Sequence, residues 1–338
     1  MSAPGVAGET DRALIDGVLA GERRALAKAI TLIESTRPDH QARAQDLLAA
    51  LLPRTGSAIR VGISGVPGVG KSSFIEALGL HLIAQGRNVA VLAVDPSSSV
   101  SGGSILGDKT RMERLSQNAA AFIRPSPSSG SLGGVAEKTR EALLLCEAAG
   151  FDVVIVETVG VGQSETAVAG MTDVFVLLQL SNAGDDLQAI KKGIVELADI
   201  IVFNKSDIDS PATDLAAAQM RTALTMLRPA SKHWQPPVLK ASATRSEGIA
   251  EFWQSIEAHR AALDQAGELP AKRRRQALDW MWQLIDSGLR SRFRDSPGVR
   301  DAIVELTAAV ESGATTPVAA AMRLLDLPAH AYDNLKFD

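Results

Sequence analysis

A glycine-rich sequence, Gly65-Val-Pro-Gly-Val-Gly-Lys-Ser72, has the residue types and spacing needed to hold phosphate groups. It matches the pattern G-x-x-x-x-G-K-[ST] and lies between a strand-like run at 59–64 and a helical pattern beginning at Phe74. This order matters because the glycines let backbone N–H groups converge on phosphate oxygens, and the helix N-terminus adds partial positive charge. We expect Lys71 to contact the β- and γ-phosphates and Ser72 to bind Mg²⁺. The predicted phosphate-binding residues are Gly65, Val66, Pro67, Gly68, Val69, Gly70, Lys71, Ser72 and Ser73.

A second motif, Asn204-Lys205-Ser206-Asp207, follows a short apolar run at 200–203 and indicates which base is bound. The Asp207 carboxylate can accept hydrogen bonds from guanine N1–H and the guanine 2-amino group together. Adenine lacks this pair of donors and would leave the carboxylate unpaired. Asn204 can tie the loop together, and the Lys205 stem can lie along the base. The motif therefore predicts GTP or GDP as the bound nucleotide.

Two further positions are candidates for supporting the base. Ser242 and Ala243 follow the short run 238–240 and resemble a loop that contacts the guanine oxygen. An ordinary turn explains this pair equally well.

Two acidic residues end apolar runs that are typical of strands buried on both faces. Asp95 follows the run 89–94, and Glu157 follows the run 151–156. Ligands of open α/β sheets lie at the carboxyl ends of the strands, and Mg²⁺ prefers oxygen ligands, so both carboxylates are candidates for the metal site. Gly160 could donate its backbone N–H to the γ-phosphate. A capping role in a turn is the alternative for Asp95.

The segment 102–111 is glycine-rich and charged, which suits a segment that responds to the nucleotide. In that case Asp108 or Lys109 would meet the nucleotide, whereas a plain surface loop is the alternative. Gln163 lies just past Gly160 and is the candidate for orienting the attacking water. The predicted catalytic residues are Lys71, Asp108, Glu157 and Gln163.

The composition limits the classes of partner. The 338 residues carry a net charge of −4, which gives no electrostatic reason to expect nucleic acid. No apolar run is long enough to span a bilayer, and no signal peptide is visible, so we expect a cytoplasmic protein that does not bind membranes. The single cysteine, Cys146, lies in a helical pattern and is predicted to be a buried core residue.

Three regions follow from the hydrophobic pattern. Residues 1–57 read as an N-terminal helical extension, and residues 58–262 alternate apolar strands with helices. This alternation predicts an α/β domain with a mostly parallel central sheet flanked by helices. Residues 263–338 read as helical again. The basic run at 272–275 lies in the first part of this last region, and either an oligomer interface or a solvated helix start packed on the core would explain it.

Taken together, these motifs resemble those of the methylmalonyl-CoA mutase-associated GTPases, the MeaB group of P-loop GTPases. The stretches that carry the resemblance are 65–72, 94–98, 102–112, 122–129, 157–167, 183–193 and 204–207. The resemblance implies a homodimeric GTPase chaperone that gates adenosylcobalamin loading of methylmalonyl-CoA mutase and protects that enzyme. It also implies that the C-terminal arm, 263–338, makes the dimer contacts.

The resemblance further implies a set of metal ligands and a relay segment. The implied Mg²⁺ neighbourhood consists of Ser72, Asp95, Asp108 and Glu157. The segment that transmits the nucleotide state to the mutase corresponds to 181–192. This chain departs from the family pattern there, because no Pro-Gly pair precedes Ala183.

Other functions remain open at this point. A metallochaperone GTPase of the hydrogenase or urease maturation type would share this class of fold, but it needs thiolate or imidazole ligands at short spacing. The five histidines are scattered along the chain, although a site between subunits that uses Cys146 from each chain is conceivable. A kinase acting on a transport protein is disfavoured by the guanine motif. A binding module without catalysis would bind GTP tightly and never hydrolyse it.

Overall fold

The structure is a computed structural model that describes residues 9–94, 112–125, 132–158, 164–181, 192–227 and 231–327. The chain divides into two compact units, one ending at Arg273 and the other beginning at Arg274. The predicted division into regions 1–57, 58–262 and 263–338 stays a prediction.

The larger unit is built on a parallel sheet whose described residues form seven strands. The strand order is β3-β2-β4-β1-β5-β6-β7, and all paired strands are parallel. The strands are β1 (Ile59–Gly65), β2 (Val89–Val94), β3 (Ala121–Arg124), β4 (Val153–Thr158), β5 (Val174–Gln179), β6 (Ile200–Phe203) and β7 (Val238–Lys240). The prediction of an α/β fold with a mostly parallel sheet is thereby confirmed. The order reverses around β1, and in such sheets ligands bind beyond the carboxyl ends of the strands at that point.

Continuous apolar strands reflect burial on both faces of the sheet. Every residue of β2, β4 and β5 is buried. One face packs into a core that includes the N-terminal helices, and the other packs against the helix after the phosphate loop and a later helix containing Trp253. Because both faces are covered, side chains on both sides of a strand must be apolar, which explains the run-like pattern seen in the sequence.

The helices of this unit alternate with the strands. The N-terminal helices are α1 (Glu9–Leu19), α2 (Arg23–Glu34) and α3 (Pro38–Leu51). Those between strands are α4 (Lys71–Ala84), α5 (Glu113–Ser116), α6 (Leu132–Ala148), α7 (Ser164–Ala169), α8 (Lys192–Leu197) and α9 (Ser210–Thr225). After β7 comes α10 (Ile249–Gln265).

The N-terminal helices pack in the same unit as the sheet. Leu26, Ile30 and Ile33 of α2 and Leu47 of α3 are buried in the core that also contains Val154 of β4. Their 3.6-residue periodicity is that of helices with one apolar face. These helices therefore widen the hydrophobic core on one side of the sheet.

The C-terminal helices are α11 (Glu268–Asp295), α12 (Pro297–Glu311) and α13 (Pro317–Leu325). Beyond Arg274, α11 exposes large apolar side chains at Leu278, Met281, Trp282, Ile285 and Leu289. Within the described ranges, no helix combines the length and apolar character that crossing a membrane requires.

Candidate nucleotide-binding site

The phosphate loop joins β1, which ends at Gly65, to α4, which begins at Lys71. Gly70 precedes the helix with φ of 89°, a left-handed conformation that favours glycine. A Cβ atom at Gly70 would also lie 2.9 Å from Nδ2 of Asn204. A glycine at position 70 thus allows the base-binding loop to approach the phosphate loop closely.

Lys71 keeps its ammonium group at the phosphate loop. Its Nζ donates to the carbonyl oxygens of Gly65 at 2.7 Å and Val66 at 3.4 Å. These bonds hold a positive charge beside the backbone N–H groups at the start of α4, where phosphate oxygens would be bound.

Two oxygen ligands suitable for Mg²⁺ lie together, one in the first turn of α4 and the other near the carboxyl end of β4. The Ser72 hydroxyl donates to Oε1 of Glu157 at 3.4 Å, and the Glu157 residue is 5% exposed. Next to Glu157, the Thr158 hydroxyl donates to Oγ of Ser64 at 2.9 Å, which fastens the end of β4 to the end of β1. A hydroxyl and a carboxylate fit the preference of Mg²⁺ for hard oxygen ligands, of which the protein usually supplies only a few.

Asn204 connects the phosphate loop to the loop after β7. This residue is 1% exposed; its Nδ2 donates to the Val69 carbonyl at 2.8 Å, and its Oδ1 accepts from the Ala243 backbone N–H at 3.2 Å. Lys205 adopts φ of 60° and donates from Nζ to the Gly68 carbonyl at 2.9 Å. One asparagine and one lysine therefore fix the distance between the two predicted halves of the site.

Asp207 has the properties required of a residue that accepts hydrogen bonds from a nucleotide base. Its side chain is 16% exposed, and its Oδ1 is buried without a hydrogen-bond partner in the described part of the chain. The Ser242 hydroxyl is the main cause that lowers the Asp207 pKa below its usual value; burial opposes this shift, and the backbone N–H of Asp207 and the Arg245 charge assist it. Asp207 is therefore ionised at neutral pH, and its Oδ1 can accept from a donor that the described residues do not supply.

The loop after β7 is shaped by a tight approach of the backbone. Ser242 is fully buried and pairs with Glu247 in an isolated antiparallel bridge. Gly248 has φ of 75°, and a Cβ there would lie 2.3 Å from the Lys240 carbonyl oxygen. This turn brings Ala243 to Asn204, so Ser242 and Ala243 lie at the candidate base site.

A cavity of about 430 Å³ lies between the phosphate-loop helix and this turn. Ser73 of α4 and Ala243 both line it, together with the polar side chains of Glu76, His81 and Thr244. One predicted phosphate-binding residue, Ser73, and one predicted base-site residue, Ala243, thus border a common space.

Four predicted site residues, Asp95, Asp108, Gly160 and Gln163, lie outside the described residues. The same is true of positions 182–191 in the predicted relay segment. Their assigned roles remain predictions. Arg245 was missed by the sequence analysis, although its Nε lies 3.6 Å from Oδ2 of Asp207. Its position two residues after Ala243 indicates that it is close to the candidate base site. The sequence does not show that its side chain points towards Asp207.

The site geometry agrees with the comparisons with known proteins. The family model described as "Methylmalonyl Co-A mutase-associated GTPase MeaB" matches residues 26–298. The chain belongs to this family. The predicted family and the predicted GTPase class are therefore confirmed.

Similar proteins cover most of the chain. A probable GTPase of Mycobacterium bovis is 55% identical over 320 residues, covering 94% of this chain and 95% of that protein. The mouse mitochondrial protein named methylmalonic aciduria type A homolog is 48% identical over 324 residues, covering 92% of this chain and 78% of that protein. The crystal structure of a LAO/AO transport system kinase has 39% sequence identity and a TM-score of 0.77, covering 95% of this chain and 98% of that chain.

Proposed function

We propose that this protein hydrolyses GTP with Mg²⁺ and uses the nucleotide cycle to gate adenosylcobalamin loading of methylmalonyl-CoA mutase and to protect that enzyme. The observation that carries the guanine assignment is the buried Oδ1 of Asp207, which has no partner in the described residues. Guanine presents N1–H and the 2-amino group side by side to a carboxylate, whereas adenine lacks this pair of donors. Asn204 links this acceptor's loop to the phosphate loop through the Val69 carbonyl.

Hydrolysis would proceed mainly by positioning and charge stabilisation. The backbone N–H groups at the start of α4 and the Lys71 ammonium bind the phosphates. Ser72 and Glu157 would hold Mg²⁺ directly or through water, and the ion would neutralise part of the phosphate charge. Among the positions outside the described residues, we assign Asp95 and Asp108 to the metal, Gly160 to the γ-phosphate and Gln163 to the attacking water.

The mutase is proposed as the partner on the strength of the family. The matching family model is described as mutase-associated, and the mouse relative carries the name of methylmalonic aciduria. We place the protein in the cytoplasm, whereas that relative is described as mitochondrial. The metallochaperone alternative has no support from the described residues, where no three His, Cys, Asp or Glu side chains form a group able to hold a metal.

A homodimer through the C-terminal arm is part of the proposal. Leu278, Trp282, Ile285 and Leu289 are exposed and spaced by three, four and seven residues along α11, so they form one apolar stripe. Exposure of such an apolar stripe to water is unfavourable. The stripe is therefore suited to packing against the same stripe of a second copy of the chain. Light scattering should show a dimer for the native chain and a monomer for Trp282→Asp; an unchanged mass for that variant would exclude the stripe from the dimer contact.

The decisive experiment measures GTP hydrolysis by the purified protein with and without methylmalonyl-CoA mutase from the same source. Lys71→Ala serves as the inactive control. We expect slow hydrolysis by the protein alone and stimulation when the mutase is added. Hydrolysis that the mutase does not change would leave a GTPase whose client is a different enzyme, while equal hydrolysis by Lys71→Ala would contradict the phosphate-loop assignment.

A further inference from the structure

Arg245 lies beside Asp207, the candidate hydrogen-bond acceptor for the base. It belongs to neither of the two predicted nucleotide-binding motifs. Its Nε is 3.6 Å from Oδ2 of Asp207, and its side chain is 60% exposed. Its backbone N–H donates to the buried Ser242 hydroxyl oxygen at 3.3 Å. The neighbouring Ser246 has φ of 56° and completes the turn. The backbone of Arg245 is therefore held against the base loop, while its long side chain can still move.

The two oxygens of the Asp207 carboxylate have different surroundings. Oδ1 is buried and lacks a partner among the described residues, whereas Oδ2 faces the Arg245 guanidinium. Guanine presents two donors to a carboxylate, N1–H and the 2-amino group. Hypoxanthine, the base of inosine nucleotides, carries hydrogen at C2 and presents only N1–H. A hypoxanthine nucleotide would leave one carboxylate oxygen without a donor from the base.

We propose that Arg245 determines base selectivity by supplying a donor to Asp207 when the 2-amino group is absent. This inference rests on the proposed binding of guanine at Asp207. At 3.6 Å the guanidinium acts through its charge, and its exposure leaves it room to approach Oδ2 more closely. Arg245 thereby reduces the penalty for a missing 2-amino group and narrows the discrimination between GDP and inosine diphosphate.

Other cations near the base loop are already engaged. Lys205 donates to the Gly68 carbonyl, and Lys240 forms an ion pair with Asp214 on α9. In the described ranges, the ion pair of Asp207 is with Arg245. Among the described residues, Arg245 is thus the cation placed to replace a donor of the base.

The test compares dissociation constants for GDP, inosine diphosphate and ADP, measured by calorimetry on the full-length protein. The variants are Arg245→Ala, Arg245→Lys and the matched control Arg221→Ala, an exposed arginine of α9. We expect the ratio of inosine diphosphate to GDP dissociation constants to rise about threefold to fivefold in Arg245→Ala, as for a partly exposed ion pair. The ratio should stay near the wild-type value in Arg245→Lys and Arg221→Ala.

The salt dependence of the same ratio of dissociation constants is a second test, and it uses the wild-type protein. Raising the salt from about 50 mM to about 500 mM should move the wild-type ratio towards that of Arg245→Ala, because a half-exposed pair is screened. A ratio unaffected by Arg245→Ala and by salt, with GDP still preferred over ADP, would overturn the role of Arg245 and leave the guanine site intact. Equal wild-type affinity for GDP and ADP would instead contradict the proposed function.

Discussion

The two edges of the central sheet use charged residues in opposite ways. At the edge where the strands begin, Arg273 donates to both carboxylate oxygens of Asp173, at 2.7 and 2.6 Å, and Arg60 does the same to Glu147, at 2.8 Å for both bonds. At the edge where the strands end, the buried Oδ1 of Asp207 has no partner in the described residues. Charges satisfied by the protein itself stabilise the fold, whereas acceptors without a protein partner are available to a ligand.

The first edge is also bonded to the early part of α11. Arg273 donates to the carbonyl oxygens of Gly56 at 2.5 Å and Ala58 at 2.8 Å, just before β1. Lys272 donates to the Asp173 carbonyl at 2.6 Å and lies 3.4 Å from Asp199. These bonds connect the first turns of α11 to the strands. The contrast between the edges predicts that substitutions at one will change nucleotide chemistry and that substitutions at the other will change the free energy of unfolding.

The largest effect is expected for Lys71→Ala at the ligand edge. Loss of the ammonium removes stabilisation of charge on the transferring phosphoryl group, so the rate of GTP hydrolysis should fall about a thousandfold or to the background, with weaker GTP binding. The nucleotide-free melting temperature should change little. Phosphate release and thermal melting measure the two quantities, and Lys28→Ala, an exposed lysine of α2, is the control. Wild-type turnover in Lys71→Ala would show that the Lys71 ammonium does not contribute to hydrolysis, contrary to the role assigned to this edge of the sheet.

The next largest effect is expected at the opposite edge, for Arg273→Ala. Asp173 is 2% exposed and would lose the partner of its charge, which typically costs about 3–5 kcal/mol. Denaturant unfolding should report this loss, while the KM for GTP stays near the wild-type value. Arg275→Ala, two positions along the same helix and exposed, should be neutral. Equal stability of the two variants would show that the Arg273 network does not stabilise the fold.

A smaller effect is expected for Asp207→Asn, which returns to the ligand edge. The amide offers a donor where guanine also presents donors, so GDP affinity should fall about tenfold to a hundredfold while ADP affinity stays low. Calorimetry with both nucleotides measures the change. Asp214→Asn, which alters an exposed carboxylate of α9, is the control. Unchanged discrimination between GDP and ADP would remove Asp207 from the base site.

The strands and the motifs at their ends could be predicted because their determinants are local. The apolar runs that indicated β1, β2 and β6 became strands, and the predicted burial of Cys146 is confirmed. The structure brings the predicted residue Asn204 into direct contact with two others, Val69 and Ala243. The residues of a ligand-binding motif lie at fixed distances from one another along the chain. Such a motif can therefore be recognised from the sequence alone.

Features that depend on distant partners could not be predicted. β3 was not predicted, because its four residues end in a charged arginine, Arg124, and lack the continuous β-branched run that identified the equally short β6. The basic run at 272–275 suggested either an interface or a solvated helix start packed on the core. Arg273 of this run pairs with Asp173, 100 positions away, and the sequence pattern alone cannot reveal that partner. Arg245 illustrates the same limit at the site, since only the folded turn shows that it faces Asp207.

The smallest predicted effect concerns the pH dependence of the first edge. Burial tends to raise the Asp199 pKa, but the hydrogen bond from His259, the charges of Lys272 and His259, and the Phe175 backbone N–H hold it below its usual value. A carboxyl whose folded pKa is depressed contributes stability above its unfolded pKa of about 3.9, and this contribution is lost as the pH falls through the folded pKa.

Asp199→Asn should therefore be less stable than the wild type by a constant amount above about pH 5, and the difference should shrink as the pH falls below about 4. Urea unfolding between about pH 5 and about pH 2 measures this difference, and Asp46→Asn, which alters an exposed carboxylate of α3, is the matched control. A difference that stayed constant to the lowest pH would mean that Asp199 stabilises the strand edge by shape and hydrogen bonding alone. In that case the ion pairs that stabilise the fold at this edge would be those of Asp173 and Glu147. The contrast with Asp207, whose Oδ1 has no partner in the described residues, would then rest on these two carboxylates.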